Sequence, residues 1–260
     1  MIFIKTEEEV ELCRRSNLLV SRTLATLANE IAPGVTTSYL DKLAEAFIRD
    51  NGGIPGFLHY RGFPNTLCVS VNNVVVHGIP SGYILRDGDI VSIDCGVILN
   101  EFYGDSSYTF EVGEVSPEVS SLLVCTKECL LKGIEKAVVG NRVGDISYEI
   151  QKHAETKGYS VVRELVGHGV GRKLHEEPEV PNFGKKGKGV KLQERMVIAI
   201  EPMINMGKRN VYLSKDKWAV ITRDGKPSAH FEHSVVIRQD KADVLSDFSI
   251  IEEVLSKKRN

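Results

Sequence analysis

The chain has 260 residues, 42% of them apolar, and carries 33 basic against 35 acidic side chains, a formal charge of −2. Such a balance offers no basic face for a phosphate backbone and no acidic tail, so sequence-specific nucleic-acid binding is not expected. The longest stretch free of charge, Gly62 to Leu85, holds Asn65, Asn72, Asn73 and His77 and makes no spanning helix, and the first residues lack a secretory signal, so no membrane association and a cytoplasmic location are expected.

Five cysteines, Cys13, Cys68, Cys95, Cys125 and Cys129, form no CxxC pair and read as reduced thiols. Cys125 and Cys129, four apart on a predicted helix, read as neighbouring core residues rather than a metal pair. No stretch resembles an interdomain linker, which predicts one domain over residues 1–260, built from two halves of about 1–112 and 113–260.

In chain order, Val10, Leu18, Leu24, Leu27 and Ile31 predict a helix over Glu7 to Ile31, closed by Pro33-Gly34. A second helix runs from Ser38, read as its N-cap, to Asp50 before Gly52-Gly53. Strands follow over Leu67 to Val76, Ile90 to Leu99 and Phe102 to Val112. The helix pair then recurs at one constant displacement. A long helix covers Glu118 to Val138, Gly140 replaces Gly34, a helix that Asp145 can begin covers Val143 to Lys157, and Gly158 replaces Gly52. Further strands are predicted over Val161 to Val166, Val197 to Ile200, Trp218 to Thr222 and Phe231 to Arg238. Most strands are joined by short connections, so the fold class is α+β, a largely antiparallel sheet covered on one face by helices.

The hairpin carries Asp94 and Asp105 about symmetrically around Asn100, which predicts cross-strand neighbours on one face. Opposed carboxylates among Ile93, Val97, Phe102 and Phe110 destabilise a sheet unless a cation lies between them; two solvated aspartates are the plainer alternative. Two more carboxylates end apolar strands, Glu201 before Pro202 and Glu232 after Phe231, and His168 stands between Gly167 and Gly169. Four hard oxygen donors and one nitrogen suit a pair of divalent ions sharing bridging carboxylates better than a thiolate-rich structural zinc.

These residues, with His77-Gly78-Ile79-Pro80, Gly167-His168-Gly169-Val170-Gly171, His175-Glu176-Glu177-Pro178, Glu201-Pro202-Met203 and Phe231-Glu232-His233, resemble the type I methionine aminopeptidases over nearly the whole chain. The resemblance implies the pita-bread fold and two divalent ions, of cobalt, manganese, iron or zinc. Asp94, Asp105, His168, Glu201 and Glu232 would be their ligands, with Asp105 and Glu232 bridging. It implies removal of N-terminal methionine from peptides and nascent chains by attack of an activated water on the first peptide bond, with a small second residue preferred. Glu201 would shuttle the proton, His175 would stabilise the oxyanion, and His77 would bind the substrate near the scissile bond. Tyr60, Phe63, Cys68 and Trp218 match the positions that line the methionine pocket. Two positions depart from the pattern: Phe57 is often smaller in relatives, and Leu174 stands where an aromatic is common. The segment between His168 and Glu201 has no room for the helical insert of type II enzymes, and the chain starts at its first helix, as the short bacterial form does.

Gly167 to Gly171 only partly matches a dinucleotide fingerprint, since Arg172 replaces the last glycine and no long helix follows. The basic loop Gly184 to Gly189 and the tail Lys257 to Asn260 read as solvated surface, with transient contact to ribosomal RNA as the alternative, and a monomer is expected. Two rivals remain: an Xaa-Pro aminopeptidase or prolidase, which shares all five ligands but usually carries a large N-terminal domain, and a noncatalytic relative, which should have lost ligands.

Overall fold

Thr6 opens the first helix with a reciprocal cap: its hydroxyl accepts from Glu9 N–H at 3.2 Å, and the Glu9 carboxylate accepts from Thr6 N–H at 3.1 Å. Helix α1 (Glu7–Glu30) ends one residue before its predicted end, because Ile31 already has extended dihedrals. In α2 (Thr37–Asp50) the N-cap is Thr36, which accepts from Tyr39 N–H; Ser38, predicted for that role, lies inside the first turn. Helix α3 (Pro117–Ile134) is capped by Ser116 and is shorter than predicted, since the chain turns at Glu135 and Val138 bridges to Arg238. At α4 (Val143–Thr156) the N-cap position is Arg142, and Asp145 sits in the first turn accepting from Arg142 N–H at 2.8 Å instead of starting the helix. A fifth helix, α5 (Ser249–Arg259), was not foreseen. Gly34 and Gly140, in the turns before α2 and α4, and Gly52 and Gly158, just after those helices, share positive φ.

The computed structural model describes residues 2–259, the side chain of Arg259 excepted, so part of the basic tail lies outside the described residues. Its strands are β1 (Ile54–Pro55), β2 (Leu67–Val71), β3 (Val74–Val76), β4 (Ile90–Leu99), β5 (Phe102–Glu111), β6 (Ser160–Val161), β7 (Val166–Gly169) and β8 (Glu176–Pro181). In the last part of the chain come β9 (Val197–Ile200), β10 (Met203–Asn205), β11 (Val211–Leu213), β12 (Val220–Thr222), β13 (Ser228–His230), β14 (Glu232–Val236) and β15 (Asp243–Val244). Two predicted strands are broken: Asn72, at φ 53°, turns the chain between β2 and β3, and Val161 to Val166 divides between β6 and β7. Trp218 precedes β12 because Lys217, at φ 67°, forms a turn.

The main sheet has nine strands in the order β1-β4-β5-β14-β9-β7-β8, with β2 on β4 and β15 on β14, and its ladders are antiparallel. The principal core joins Leu19, Leu24 and Leu27 of α1 and Leu122 and Leu130 of α3 to Ile93, Cys95 and Val97 of β4. Strand alternation therefore turns Asp94 to the opposite face, and the site is built there. All five cysteines are free and buried. Among the described residues no helix is long and apolar enough to cross a membrane.

Candidate active site

Asn100 and Glu101 form a two-residue turn with φ of 51° and 66°, the left-handed pair that suits the twist of a β-hairpin. The symmetry centre of β4 and β5 therefore lies between them, one residue later than symmetry about the two aspartates requires. Asp94 faces Ser107 and Asp105 faces Gly96, so the aspartates share a face as diagonal neighbours and are not directly opposed as predicted. Ser107 also pairs with Glu232, and Cys68 with Asp94, so one row across four strands reads Cys68, Asp94, Ser107, Glu232. The small serine leaves room between the two acids. Backbone hydrogen bonds fix both ends: Ser106 Oγ donates to Glu232 O at 2.6 Å, Ser234 Oγ donates to Asp105 O at 2.9 Å, and Asp105 N–H donates to Asn17 Oδ1 at 3.2 Å.

Glu201 follows β9 directly, its carbonyl accepting from Asn182 Nδ2 at 2.9 Å. His168 lies on β7 between glycines that are required by packing: a Cβ at Gly167 would stand 2.4 Å from Ala199 O, and one at Gly169 would stand 2.3 Å from Glu177 O. They let β7 sit close to its neighbours. His168 Nδ1 donates to Gly169 O at 2.9 Å, so the Nε2 lone pair points into the site, 3.7 Å from Asp105 Oδ2 and 3.6 Å from Glu201 Oε1. One donor atom each from Asp105, His168 and Glu232 lie within 4.8 Å of one another.

Burial dominates the electrostatics. It pushes the Asp94 carboxyl up to about 7 and those of Asp105, Glu201 and Glu232 well above the carboxylate range, the last three helped by repulsion from one another and Asp94. Burial likewise holds His168 down at about 4, and His175 and His230 at about 3, so all three imidazoles are neutral at pH 7.

Beside the acids opens a cavity of about 200 Å³, and every residue singled out from the sequence lines it: Tyr60, Phe63, Cys68, His77, Asp94, Asp105, His168, His175, Glu201, Trp218 and Glu232. Tyr60 Oη lies 2.8 Å from His175 Nδ1, and the His175 ring stands 4.2 Å from that of His168. Phe63 meets Trp218 edge-on at 5.1 Å. Phe57 and Leu174 pack against this apolar wall, and Phe57 fits because Gly96 has no side chain: a Cβ there would lie 2.4 Å from the ring. The sequence reading passed over Val76, Leu165 and Met203, apolar residues without chemical signature that also line the cavity, and Arg61 at its edge. It also passed over His230, the last residue of β13, whose Nε2 lies 3.9 Å from Glu232 Oε2.

The model of metallopeptidase family M24 matches residues 11–239. The methionine aminopeptidase of Clostridium perfringens is 52% identical over 246 residues, covering 95% of this chain and 99% of that protein. The chain belongs to the M24 methionine aminopeptidases. Methionine aminopeptidase 1 of Bacillus subtilis is 47% identical, also over 95% of this chain and 99% of the relative. The crystal structure of methionine aminopeptidase from Rickettsia prowazekii has a TM-score of 0.94 at 42% identity and covers 95% of this chain and 100% of its own. The X-Pro aminopeptidase of Thermotoga maritima shares the fold alone, with a TM-score of 0.75 at 20% identity over 94% of this chain and 62% of that one.

The M24 methionine aminopeptidases are metal-dependent exopeptidases, and the donor set of this chain fits a divalent cation. Asp94 Oδ1, Asp105 Oδ1 and Glu232 Oε1 are buried without a hydrogen-bond partner among the described residues. The only ion-pair neighbours of these acids among the described residues are His168 and His230, both neutral. Four carboxylates gathered out of water with no lysine or arginine must either hold protons, as Asp94 and Asp105 do where they hydrogen-bond to each other, or share a cation.

Proposed function

We propose that this methionine aminopeptidase removes the N-terminal methionine of peptides and nascent chains in the cytoplasm, acting as a monomer with two divalent ions and preferring a small second residue. The observation that carries the reading is the adjacency of two unlike surfaces in one cavity. Four buried carboxylates and His168 form one side, and the apolar wall of Tyr60, Phe63, Cys68 and Trp218 forms the other. Asp94, Asp105, His168, Glu201 and Glu232 would hold the ions. Bound ions supply positive charge that acidifies water and polarises the scissile carbonyl.

The protein's own groups do the rest. Glu201, fixed through its backbone by Asn182, accepts the proton of the attacking water and returns it to the leaving amine. In the tautomer in which the Tyr60 hydroxyl donates to His175 Nδ1, the neutral ring presents Nε2–H to the carbonyl oxygen as negative charge develops there. His77, also lowered by burial, hydrogen-bonds the substrate on the other side of the bond. Thioether sulfur packs well against ring edges, which suits methionine between Phe63 and Trp218. Phe57 adds bulk to the outer wall while Leu174 is smaller than the aromatic common there, so the two departures act in opposite directions on the room for the second residue.

The test is hydrolysis of Met-Ala-Ser against Ala-Pro-Ala after titrating the apoprotein with Mn²⁺, Fe²⁺, Co²⁺ or Zn²⁺. Metal-dependent preference for the first supports the reading; preference for the second makes the chain an X-Pro enzyme.

A further inference from the structure

His230 ends β13 opposite Met203 of β10 and is 1% exposed. Thr109 brackets its backbone, the hydroxyl donating to His230 O at 2.6 Å and accepting from His230 N–H at 3.0 Å. Phe231, between β13 and β14, turns into the core, its ring 4.9 Å from Tyr108, while the side chains of His230 and Glu232 on either side of it approach each other. There His230 Nε2 stands 3.8 Å from Glu201 Oε2 and 3.9 Å from Glu232 Oε2. Both separations are too long for hydrogen bonds. Neither ring nitrogen has a hydrogen-bond partner among the described residues.

A buried polar group left unpaired is destabilising, and structures rarely keep one without a use. Two donors on one ion, each about 2.1 Å from it, lie roughly 3.0 Å apart at right angles and roughly 4.2 Å apart in line. The two His230 separations fall in that interval, as do the 3.6 and 3.7 Å separations of His168. We propose that His230 is a sixth donor to the metal centre, a second imidazole beside Asp94, Asp105, His168, Glu201 and Glu232. The inference rests on reading that set as a metal site. A neutral nitrogen added to an oxygen-rich set shifts selectivity away from Mn²⁺ and toward Co²⁺ and Zn²⁺. The site would take first-row divalent ions.

The experiment is Co²⁺ titration of the apoprotein, followed by calorimetry and by visible absorption of the bound ion, with X-ray absorption to count imidazoles. It is run on the wild type, His230→Ala, the near-isosteric His230→Gln, and His168→Ala as a control. The expected result is loss of one imidazole from the coordination shell in both His230 variants, a changed Co²⁺ spectrum, and affinity at least 10-fold weaker. Should His230→Ala fail to fold, as judged by circular dichroism of the apoprotein, His230→Gln carries the test. Unchanged spectrum and affinity in the His230 variants, with loss in His168→Ala, overturns the sixth donor and leaves the metal centre standing. No stoichiometric Co²⁺ binding by the wild type overturns the metal reading itself.

Discussion

Asp105 touches every part of the site: its backbone is held by Asn17 and Ser234, and its carboxylate faces His168. Asp105→Asn keeps the shape and removes the charge. Metal content and Met-Ala-Ser turnover should each fall by roughly a hundredfold or more, beyond the range seen when only a ligand's support is lost. The apo variant should melt no lower than the apo wild type, because one of four crowded acids is gone; unchanged turnover contradicts the mechanism. Lys5 and Glu176 make the opposite case. They meet at 2.6 Å with side chains only 5% and 4% exposed, and Glu176 follows His175 directly. Lys5→Met should cost about 3–5 kcal/mol in urea unfolding, and adding Glu176→Leu should recover most of it. A lone Lys5→Met as stable as wild type would show that the pair is solvated. At this scale the four acids were legible because a carboxylate in an apolar strand violates its surroundings. His230 was not, because a histidine in a short strand violates nothing until its ring is seen without a partner.

The hairpin of β4 and β5 shows what an element adds to its residues. Its ten paired positions on each strand are set by Asn100 and Glu101, and Glu101 holds φ 66° without being glycine. Glu101→Gly should raise stability by about 0.5–1 kcal/mol, less the small worth of the exposed Arg172–Glu101 ion pair, at unchanged activity in thermal melts. A lower melting temperature would mean that Glu101 has a tertiary role. The turn was legible from the sequence, and its centre was not, because symmetry about two aspartates does not fix which two residues bend. Long strands and helices with clear periodicity came through within a few residues. Short strands such as β11 and β13 carry too few residues for a period, and α5 is placed by tertiary contact: Ile251 is buried in the core and Lys258 Nζ donates to the carbonyls of Ala28, Asn29 and Ile31 at the end of α1.

In the whole molecule the site stores a conflict that protons or a cation can relieve, and pH exposes it. A carboxyl whose pKa is higher folded than unfolded binds protons preferentially in the folded state. It stabilises the fold below the ordinary carboxylate range, and that contribution is lost as pH rises through the folded value, which for Asp94 is about 7. Asp105, Glu201 and Glu232 are raised in the same direction by the same burial. The apoprotein should therefore melt progressively lower from about pH 4 to pH 8. Metal takes the place of those protons, so the loaded enzyme gains about 2.7 kcal/mol when free metal is a hundredfold above its dissociation constant. For a chain of this size that corresponds to about 5–10 °C. Scanning calorimetry with and without a chelator should show a gap that widens between pH 6 and pH 8. A gap that stays constant or narrows would mean that the four acids are solvated and already charged in the apoprotein, and that metal relieves no repulsion there.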